Sequence, residues 1–192
     1  MPATRPELPR DIKRGEILDA ADTLLVRDGY DNTTMAEVAR AARVANNSVY
    51  WYFPSKDDLL AAVLRRRQER VLAELADLAT SSLEERVLGL LAELDHVANL
   101  TAAVHGRASH NVAVAEMHEA FHAAAERYLG SGFRDAGLGQ QEATSAAAAI
   151  MAMVEGIHLH ERDRDPVARN RLLLWTLHCL VAASADGTAS PP

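Results

Sequence analysis

Residues 33–56 read TTMAEVARAARVANNSVYWYFPSK, and the fold predicted for the chain depends mainly on this segment. Thr34 followed three residues later by Glu37 is typical of a capping box, in which each side chain satisfies a backbone N–H group at the start of a helix. A second short helix, at about residues 45–51, follows a turn at residues 42–44. Phe53 precedes Pro54, which disfavours helical backbone angles and ends that helix. The stretch therefore predicts two short helices joined by a tight turn.

The apolar residues of this stretch indicate a helix-turn-helix. Two helices that cross closely need a small residue at the crossing, and Ala39 meets that need. The apolar residues expected on the shared side are Met35, Val38, Val44 and Val49. The second helix presents Asn46, Asn47 and Ser48 near its N-terminus, the end of a recognition helix that contacts base edges in the major groove. Because Asn can pair with adenine through two hydrogen bonds, we predict that these three residues contact bases.

Hydroxyl and ammonium groups near the recognition helix are suited to bind DNA phosphates. Tyr50, Tyr52 and Lys56 carry such groups, and the capped helix start at Thr34 offers backbone N–H groups. The spacing alone also fits an ordinary amphipathic helix pair, in which the aromatic cluster is a core that holds the following helix. Phe53 is expected to have that core role. Spacing by itself therefore leaves both interpretations open.

A set of short matches in the right order favours the DNA-binding interpretation. From about Ile12 to Leu64 the chain resembles the DNA-binding domain of the TetR (tetracycline repressor-like) family of transcriptional regulators. The matching segments are ILDAA (17–21), LL (24–25), GY (29–30), TTM (33–35), VA (38–39), VYWYF (49–53), SK (55–56) and LL (59–60). The resemblance assigns DNA contact to Thr34, Asn46, Asn47, Ser48, Tyr50, Trp51, Tyr52 and Lys56.

The resemblance also implies an architecture and a function. In that family a three-helix DNA-binding domain precedes a larger helical domain, which binds a small-molecule inducer and dimerises through its last two long helices. It implies a homodimeric repressor that is released from a palindromic double-stranded DNA operator by a small-molecule effector. The apolar helices of the second half suggest that this effector is hydrophobic or amphipathic.

Two positions depart from the family pattern. Arg43 occupies the turn where the family usually has Gly, and a left-handed conformation costs a non-Gly residue roughly 1–2 kcal/mol. In that place Arg43 is expected to reach a phosphate. Ala45 stands where the family favours Ser or Thr, and Ala is a poor helix N-cap. Both departures leave the base preference open, and neither affects the predicted fold.

The composition is that of a soluble globular protein, with 48% hydrophobic and 24% charged residues. The net charge is −7, but residues 1–70 hold 12 Lys and Arg against 11 Asp and Glu, so the acidic excess lies after residue 70. No apolar run reaches the roughly 18–20 residues of a membrane span, and residues 1–14 lack the apolar region of a secretory signal. The lone cysteine, Cys179, is expected to be a packed thiol and fits a cytoplasmic location.

The chain is predicted to be all-α, with about nine helices. Residues 1–56 are the predicted DNA-binding domain with a mobile arm at 1–9, residues 57–185 the effector-binding and dimerisation domain, and residues 186–192 a disordered tail. After the motif, a long helix is expected from Ser55, followed by helices at about 83–95, 97–109, 111–130, 140–160 and 167–184. The link before residue 140 is expected to contain Gly130, Gly132, Gly137 and Gly139.

The last two helices are rich in small and apolar residues, which allow a close helix–helix approach. An ordinary pairing within one chain is an alternative to a dimer, but helix-turn-helix proteins read paired half-sites and therefore favour the dimer. The residues predicted for the dimer interface are Ala149, Met153, Gly156, Leu173, Leu177 and Leu180.

The histidines raise the question of a metal site. His118 and His122 are four residues apart and share a helix face, whereas a zinc site needs three or four converging ligands. We therefore predict no metal and no cofactor, and His118 and His122 remain candidates for contact with the effector. Motifs such as HExxH, GxSxG and a Gly-rich phosphate loop are absent, so no enzyme activity is predicted. The alternatives are a helical metal- or ligand-binding enzyme, or a protein-binding helical adaptor, with a coincidental helix pair.

Overall fold

The computed structural model describes residues 10–77, 82–160 and 165–185, and these residues form helices and no strand. In chain order the helices are α1 (Arg10–Asp28), α2 (Met35–Ala41), α3 (Asn46–Tyr52), α4 (Lys56–Asp77), α5 (Leu83–Asp95), α6 (Ala98–Ala108), α7 (Val112–Asp135), α8 (Gln140–His160) and α9 (Pro166–Ala185). The all-α prediction is confirmed. The mobile arm predicted at residues 1–9 and the disordered tail predicted at residues 186–192 lie outside the described residues.

The chain divides into two compact units, and each is assembled from two segments of sequence. Unit 1 comprises residues 1–67 and 103–117, and unit 2 comprises residues 68–102 and 118–192. This division differs from the predicted boundary between residues 56 and 57, because residues 103–117 pack with the N-terminal helices.

Unit 1 is built around the packing of α2 against α1 and α3. The side chains that meet there are apolar and recur at helical spacing. Those with almost no exposed surface are Ile17, Leu18, Ala21, Leu25, Met35, Val38, Ala39, Val49, Phe53, Leu59 and Leu60. Ala39 is thus buried as predicted for the crossing residue, and Phe53 has its expected core role. Gly29, at φ +81°, allows the chain to leave α1 in a left-handed turn.

Unit 2 has its own apolar core, in which α9 packs against both α5 and α8. The members of this core with the least exposed surface are Val87, Leu91, Leu129, Phe133, Ala143, Ala147, Ile150, Met151, Val154, Leu173 and Leu177. Two polar residues are buried beside them, Arg86 and His158. Arg86 donates to Ser131 Oγ at 2.7 Å and to Asp135 Oδ2 at 2.8 Å, so its charge is compensated where it is buried.

The predicted break at Gly130 and Gly132 is wrong, because α7 continues through both residues to Asp135. Gly132 lies against α5, where a Cβ atom would come within 2.9 Å of side-chain atoms of Arg86 and Leu83. The missing side chain therefore serves close helix packing and does not end the helix. The actual stop is Gly137, whose φ of +101° is strained for any other residue.

The structure also corrects the sequence interpretation of α9. Cys179 is exposed and is not a packed thiol, because it lies on the side of α9 away from the core. Leu173 and Leu177 are fully buried within unit 2, so their side chains have no surface to offer a partner chain. The other residues predicted for the dimer interface keep some exposed surface: Ala149, Met153, Gly156 and Leu180.

Within the described ranges, no single helix is long and apolar enough to cross a membrane. The bent pair Leu83–Asp95 and Ala98–Ala108 passes that test only by its combined length and composition.

Candidate nucleic-acid interface

The first helix of the motif, α2, begins at the predicted capping box. The Glu37 backbone N–H donates to Thr34 Oγ1 at 3.2 Å, and the Thr34 backbone N–H donates to Glu37 Oε2 at 2.9 Å. The hydrogen bonds from Thr34 also lower the pKa of the Glu37 carboxyl group, because they favour its charged form. The prediction of a capping box is confirmed, and α2 is fixed at the position from which it supports α3.

The turn between α2 and α3 has the two features expected from the sequence. Arg43 adopts φ 56°, the left-handed conformation that glycine would adopt without strain. Ala45 is the N-cap of α3 and provides no side-chain hydrogen bond. The turn is nevertheless closed by the backbone, since the Val44 N–H donates to the Ala39 carbonyl at 3.0 Å. Arg43 is exposed, so its guanidinium group is accessible to a phosphate.

The recognition helix α3 turns its apolar side inward and its amide side outward. Val49 is fully buried against α2, whereas Asn46 and Asn47 are exposed and Ser48 is half-buried. The first turn of α3 carries no acidic residue, so no carboxylate there repels a DNA phosphate. The structure thus brings the three residues predicted to contact bases onto the same end of one short helix.

The aromatic residues that follow are divided between surface and interior. Tyr50 is 47% exposed and Trp51 is 61% exposed, whereas Tyr52 is half-buried and lies edge-on to the Trp51 ring. Arg10, at the start of α1, places its guanidinium carbon 5.0 Å from the centre of the Trp51 ring. Arg10 is a cationic neighbour of α3 that sequence reasoning missed, because the signal is a contact between residues 41 positions apart.

Lys56 is held by acceptors within unit 1. Its Nζ donates to the Tyr30 carbonyl at 2.8 Å and to the Thr33 carbonyl at 3.1 Å, and it lies 3.9 Å from the centre of the Tyr30 ring. Two of the three ammonium N–H groups therefore stabilise the loop before α2. Ser55 completes this end of α4, because its Oγ accepts from the Asp58 N–H at 3.1 Å.

Asp57, the second residue of α4, is buried and is the centre of a polar cluster with buried Tyr30 and exposed Arg107. The Arg107 guanidinium donates to both carboxylate oxygens, and the Tyr30 hydroxyl donates to Oδ1. The hydrogen bond from Arg107 lowers the pKa of Asp57, burial opposes that effect, and the Tyr30 hydroxyl supports it. Burial and the hydrogen bond to Asp57 raise the pKa of Tyr30 to about 12. The cluster holds the end of α1, the start of α4 and the end of α6 together in unit 1.

The residues suggested for effector contact lie in unit 2. His118 and His122 on α7 are partly buried, and Glu155 of α8 reaches both of them, with its Oε1 2.6 Å from His122 Nε2. A groove of about 410 Å³ lies elsewhere in this unit, between α5, α7 and α9. Its apolar side is formed by Leu83, Leu177 and Val181.

The fold of unit 1 and the outward amide face of α3 define a helix-turn-helix DNA-binding domain. Residues 17–63 match the family model described as "Bacterial regulatory proteins, tetR family". This match, which covers residues 17–63 only, confirms the resemblance seen in residues 12–64.

Curated relatives share this same region of the chain. The HTH-type transcriptional activator FasR of Mycolicibacterium smegmatis is 34% identical over 79 residues, which are 41% of this chain and 36% of that protein. The HTH-type transcriptional repressor KstR of Rhodococcus jostii is 44% identical over 59 residues, 31% of this chain and 28% of that protein. The matched region therefore spans about a third of the length of these relatives.

Solved structures extend the likeness of fold to most of the chain. A TetR transcription regulator from Haloarcula marismortui has a TM-score of 0.73 at 18% identity, over 91% of this chain and 98% of that one. The transcriptional regulator FadR from Bacillus subtilis, in complex with stearoyl-CoA, has a TM-score of 0.61 at 18% identity, over 88% of this chain and 98% of that one. The all-α architecture seen here is thus the architecture of these regulators.

Proposed function

We propose that this protein is a homodimeric transcriptional repressor that binds a palindromic DNA operator and is released by a small-molecule effector. In this proposal Asn46, Asn47 and Ser48 contact bases in the major groove. The residues that bind phosphates are Thr34, Arg43, Tyr50, Trp51, Tyr52 and Lys56. Such a protein acts in the cytoplasm, where Cys179 stays reduced.

The exposure of the α3 amide groups is the observation that carries this proposal. A buried Asn side chain would form its hydrogen bonds within the protein. Asn46 and Asn47 are instead exposed at the N-terminal end of α3. The same helix is anchored on its other side by fully buried Val49, so the amides are presented from a fixed position. A fixed donor and acceptor pair is what bidentate pairing with adenine requires.

The phosphate contacts have different support from one residue to the next. Arg43 in the preceding turn is exposed, as are Tyr50 and Trp51 in α3, and Arg10 adds a cation beside Trp51. Lys56 uses two N–H groups for backbone carbonyls, so its share in phosphate binding comes from its positive charge and its third N–H group. At the start of α2 the Thr34 and Glu37 N–H groups are used by the capping box, so a phosphate contact at Thr34 would use the other N–H groups of the first turn.

Binding to the DNA upstream of the protein's own gene, measured by fluorescence anisotropy, tests the proposal. N46A and N47A should change the preference among single-base operator variants by about 1–3 kcal/mol for each bidentate pair of hydrogen bonds that the substitution removes. The matched control is Q141A, which removes an exposed amide from α8 in unit 2. If both Asn variants kept the wild-type preference among operator variants, neither Asn would read a base.

The homodimer is proposed because helix-turn-helix proteins typically read paired half-sites as two-fold symmetric dimers. Its interface is proposed at Ala149, Met153, Gly156 and Leu180, the predicted positions that keep exposed surface. Sedimentation at micromolar concentration without DNA should give twice the chain mass. A single chain mass under these conditions would exclude a stable dimer.

The effector is proposed to be hydrophobic or amphipathic. The Bacillus subtilis regulator of this fold was solved with stearoyl-CoA, an amphipathic molecule, and the relatives are named as regulators and not as enzymes. Release of DNA requires that the effector bind the DNA-incompetent state more tightly than the competent one. Addition of acyl-CoA and fatty acid panels to the anisotropy assay tests this, with lowered operator affinity as the expected result.

A further inference from the structure

Two imidazoles and one carboxylate converge in unit 2. His118 and His122 lie one turn apart on α7, with ring centres 4.4 Å apart and Nε2 atoms 3.2 Å apart. Glu155, on α8, brings Oε1 to 2.6 Å from His122 Nε2 and 3.5 Å from His118 Nε2. Three potential ligand atoms therefore lie within 3.5 Å of one another, although Glu155 is 33 residues from His122 in sequence.

Hydrogen bonds among His118, His122 and Glu155 satisfy these three groups poorly. His122 Nε2 lies 2.6 Å from Glu155 Oε1 and 3.2 Å from His118 Nε2, and one ring nitrogen carries at most one proton to share between them. If His118 Nε2 also carried a proton, its N–H group would face the N–H group of His122. A cation at the centre would instead accept a lone pair from each of the three atoms.

We propose that His118, His122 and Glu155 form a binding site for a divalent transition-metal ion of the zinc type. Tetrahedral ligands at about 2.0–2.1 Å from zinc lie about 3.3 Å apart, close to the two longer distances here. The shorter His122–Glu155 distance would need to open by less than about 1 Å. Two histidines at i and i+4 on a helix already hold their nitrogens at the spacing that a zinc site uses.

The chemistry of the three ligands selects the ion. Imidazole nitrogen suits Zn²⁺, Ni²⁺, Co²⁺ and Cu²⁺, whereas Mg²⁺ and Ca²⁺ prefer an all-oxygen shell. The three side chains are each between 21% and 24% exposed, so an ion can enter and a water molecule can complete the shell. The Glu126 carboxylate adds negative potential at His122 from the same helix. This site lies in unit 2 and its metal binding does not depend on the proposed DNA contacts.

The direct test is titration of the metal-stripped full chain with Zn²⁺ by calorimetry, with Co²⁺ absorption as a reporter of inner-sphere ligands. We expect one ion per chain, and no comparable binding of Mg²⁺. H118Q, H122Q and E155Q should each lower the Zn²⁺ affinity by more than ~100-fold. Loss of a residue that only hydrogen-bonds to a metal ligand costs at most about 100-fold. Bound Zn²⁺ should also raise the melting temperature of the wild type and leave that of E155Q unchanged.

The matched control is H178Q. His178 also pairs with a carboxylate of unit 2, at 3.1 Å from Glu84, but without a second imidazole in that pair. Its Zn²⁺ affinity should equal that of the wild type. E155Q nearly preserves the shape of Glu, and its circular dichroism verifies that the variant is folded. Absence of stoichiometric Zn²⁺ binding by the wild type, or binding that survives in H122Q and E155Q, would overturn the proposal. No DNA is present, so failure to bind an operator would have no effect on the result.

Discussion

Arg107 of α6 holds both carboxylate oxygens of Asp57 of α4, with its Nη2 2.6 Å from Oδ2 and its Nε 3.0 Å from Oδ1. These residues are 50 positions apart, and their pairing explains why residues 103–117 belong to unit 1. Because Asp57 is buried, its charge needs these donors, and the Tyr30 hydroxyl supplies another. The packing that fixes the start of α4 beside the DNA-binding motif therefore depends on a polar cluster as well as an apolar core.

Y30F tests the contribution of the Tyr30 hydroxyl to stability. The change keeps the buried ring and removes one hydrogen bond to a charged acceptor, so the free energy of unfolding should fall by about 1.5–3 kcal/mol. Urea denaturation measures this. The control is Y50F, since Tyr50 is 47% exposed and its change should stay within about 0.5 kcal/mol. Equal effects of the two variants would contradict the role of the Tyr30–Asp57 bond.

The Asp57 cluster should make stability depend on acid pH. The pKa of Asp57 in the folded chain lies below its ordinary value of 3.8, so the unfolded chain takes up the proton first as pH falls. The stabilisation is complete above about pH 5 and diminishes as pH falls through the folded-state pKa. D57N should be less stable at about pH 7 and should lose less stability between about pH 5 and pH 3.

R107Q provides the comparison for this pH dependence, because the Arg107 hydrogen bond is the largest cause of the lowered pKa of Asp57. It should flatten the acid part of the stability curve in the same direction as D57N. Urea unfolding at several pH values measures both variants. If the free energy of unfolding of D57N fell as steeply as that of the wild type below about pH 5, Asp57 would titrate alike in the folded and unfolded chain.

Two substitutions of Arg43 separate backbone strain from phosphate binding. R43G relieves the left-handed conformation at φ 56° and should raise the free energy of unfolding by up to about 1 kcal/mol. R43A keeps that strain and should bring no such gain. If Arg43 neutralises one phosphate, both variants should reduce the slope of log K for DNA binding against log[salt] by about 1 in magnitude. A salt slope equal to that of the wild type in both would exclude this contact.

G132A tests the close packing of α7 against α5. The added Cβ would lie 2.9 Å from side-chain atoms of Arg86 and Leu83, and Arg86 is held by its ion pair with Asp135. The expected cost is about 1–3 kcal/mol, the usual range for overpacking. G89A, in α5 with open space around it, should instead gain about 0.5–1 kcal/mol of stability. Thermal denaturation of the two variants should therefore shift in opposite directions.

The sequence predicted the DNA-binding motif well because its signals are local. The capping box joins Thr34 and Glu37 within one helical turn, and the uncapped start of α3 follows from the residue type of Ala45. The left-handed Arg43 was expected only from the resemblance to a family that usually has Gly there. The ends of α7 were predicted less well. Gly130 and Gly132 resemble a helix stop in sequence, but α7 continues through both, and Gly132 packs closely against α5.

By itself the sequence determined that the chain is all-α, that α2 and α3 form a helix-turn-helix, and which amide residues α3 presents. Those properties depend on hydrophobic periodicity and capping, which operate over a few residues. Three contacts became visible only in the folded chain: Lys56 with backbone carbonyls, Arg107 within unit 1, and Glu155 with the His118–His122 pair. Each of these contacts joins polar groups that are far apart in sequence and come together when apolar faces are buried. No local sequence pattern indicates such a contact.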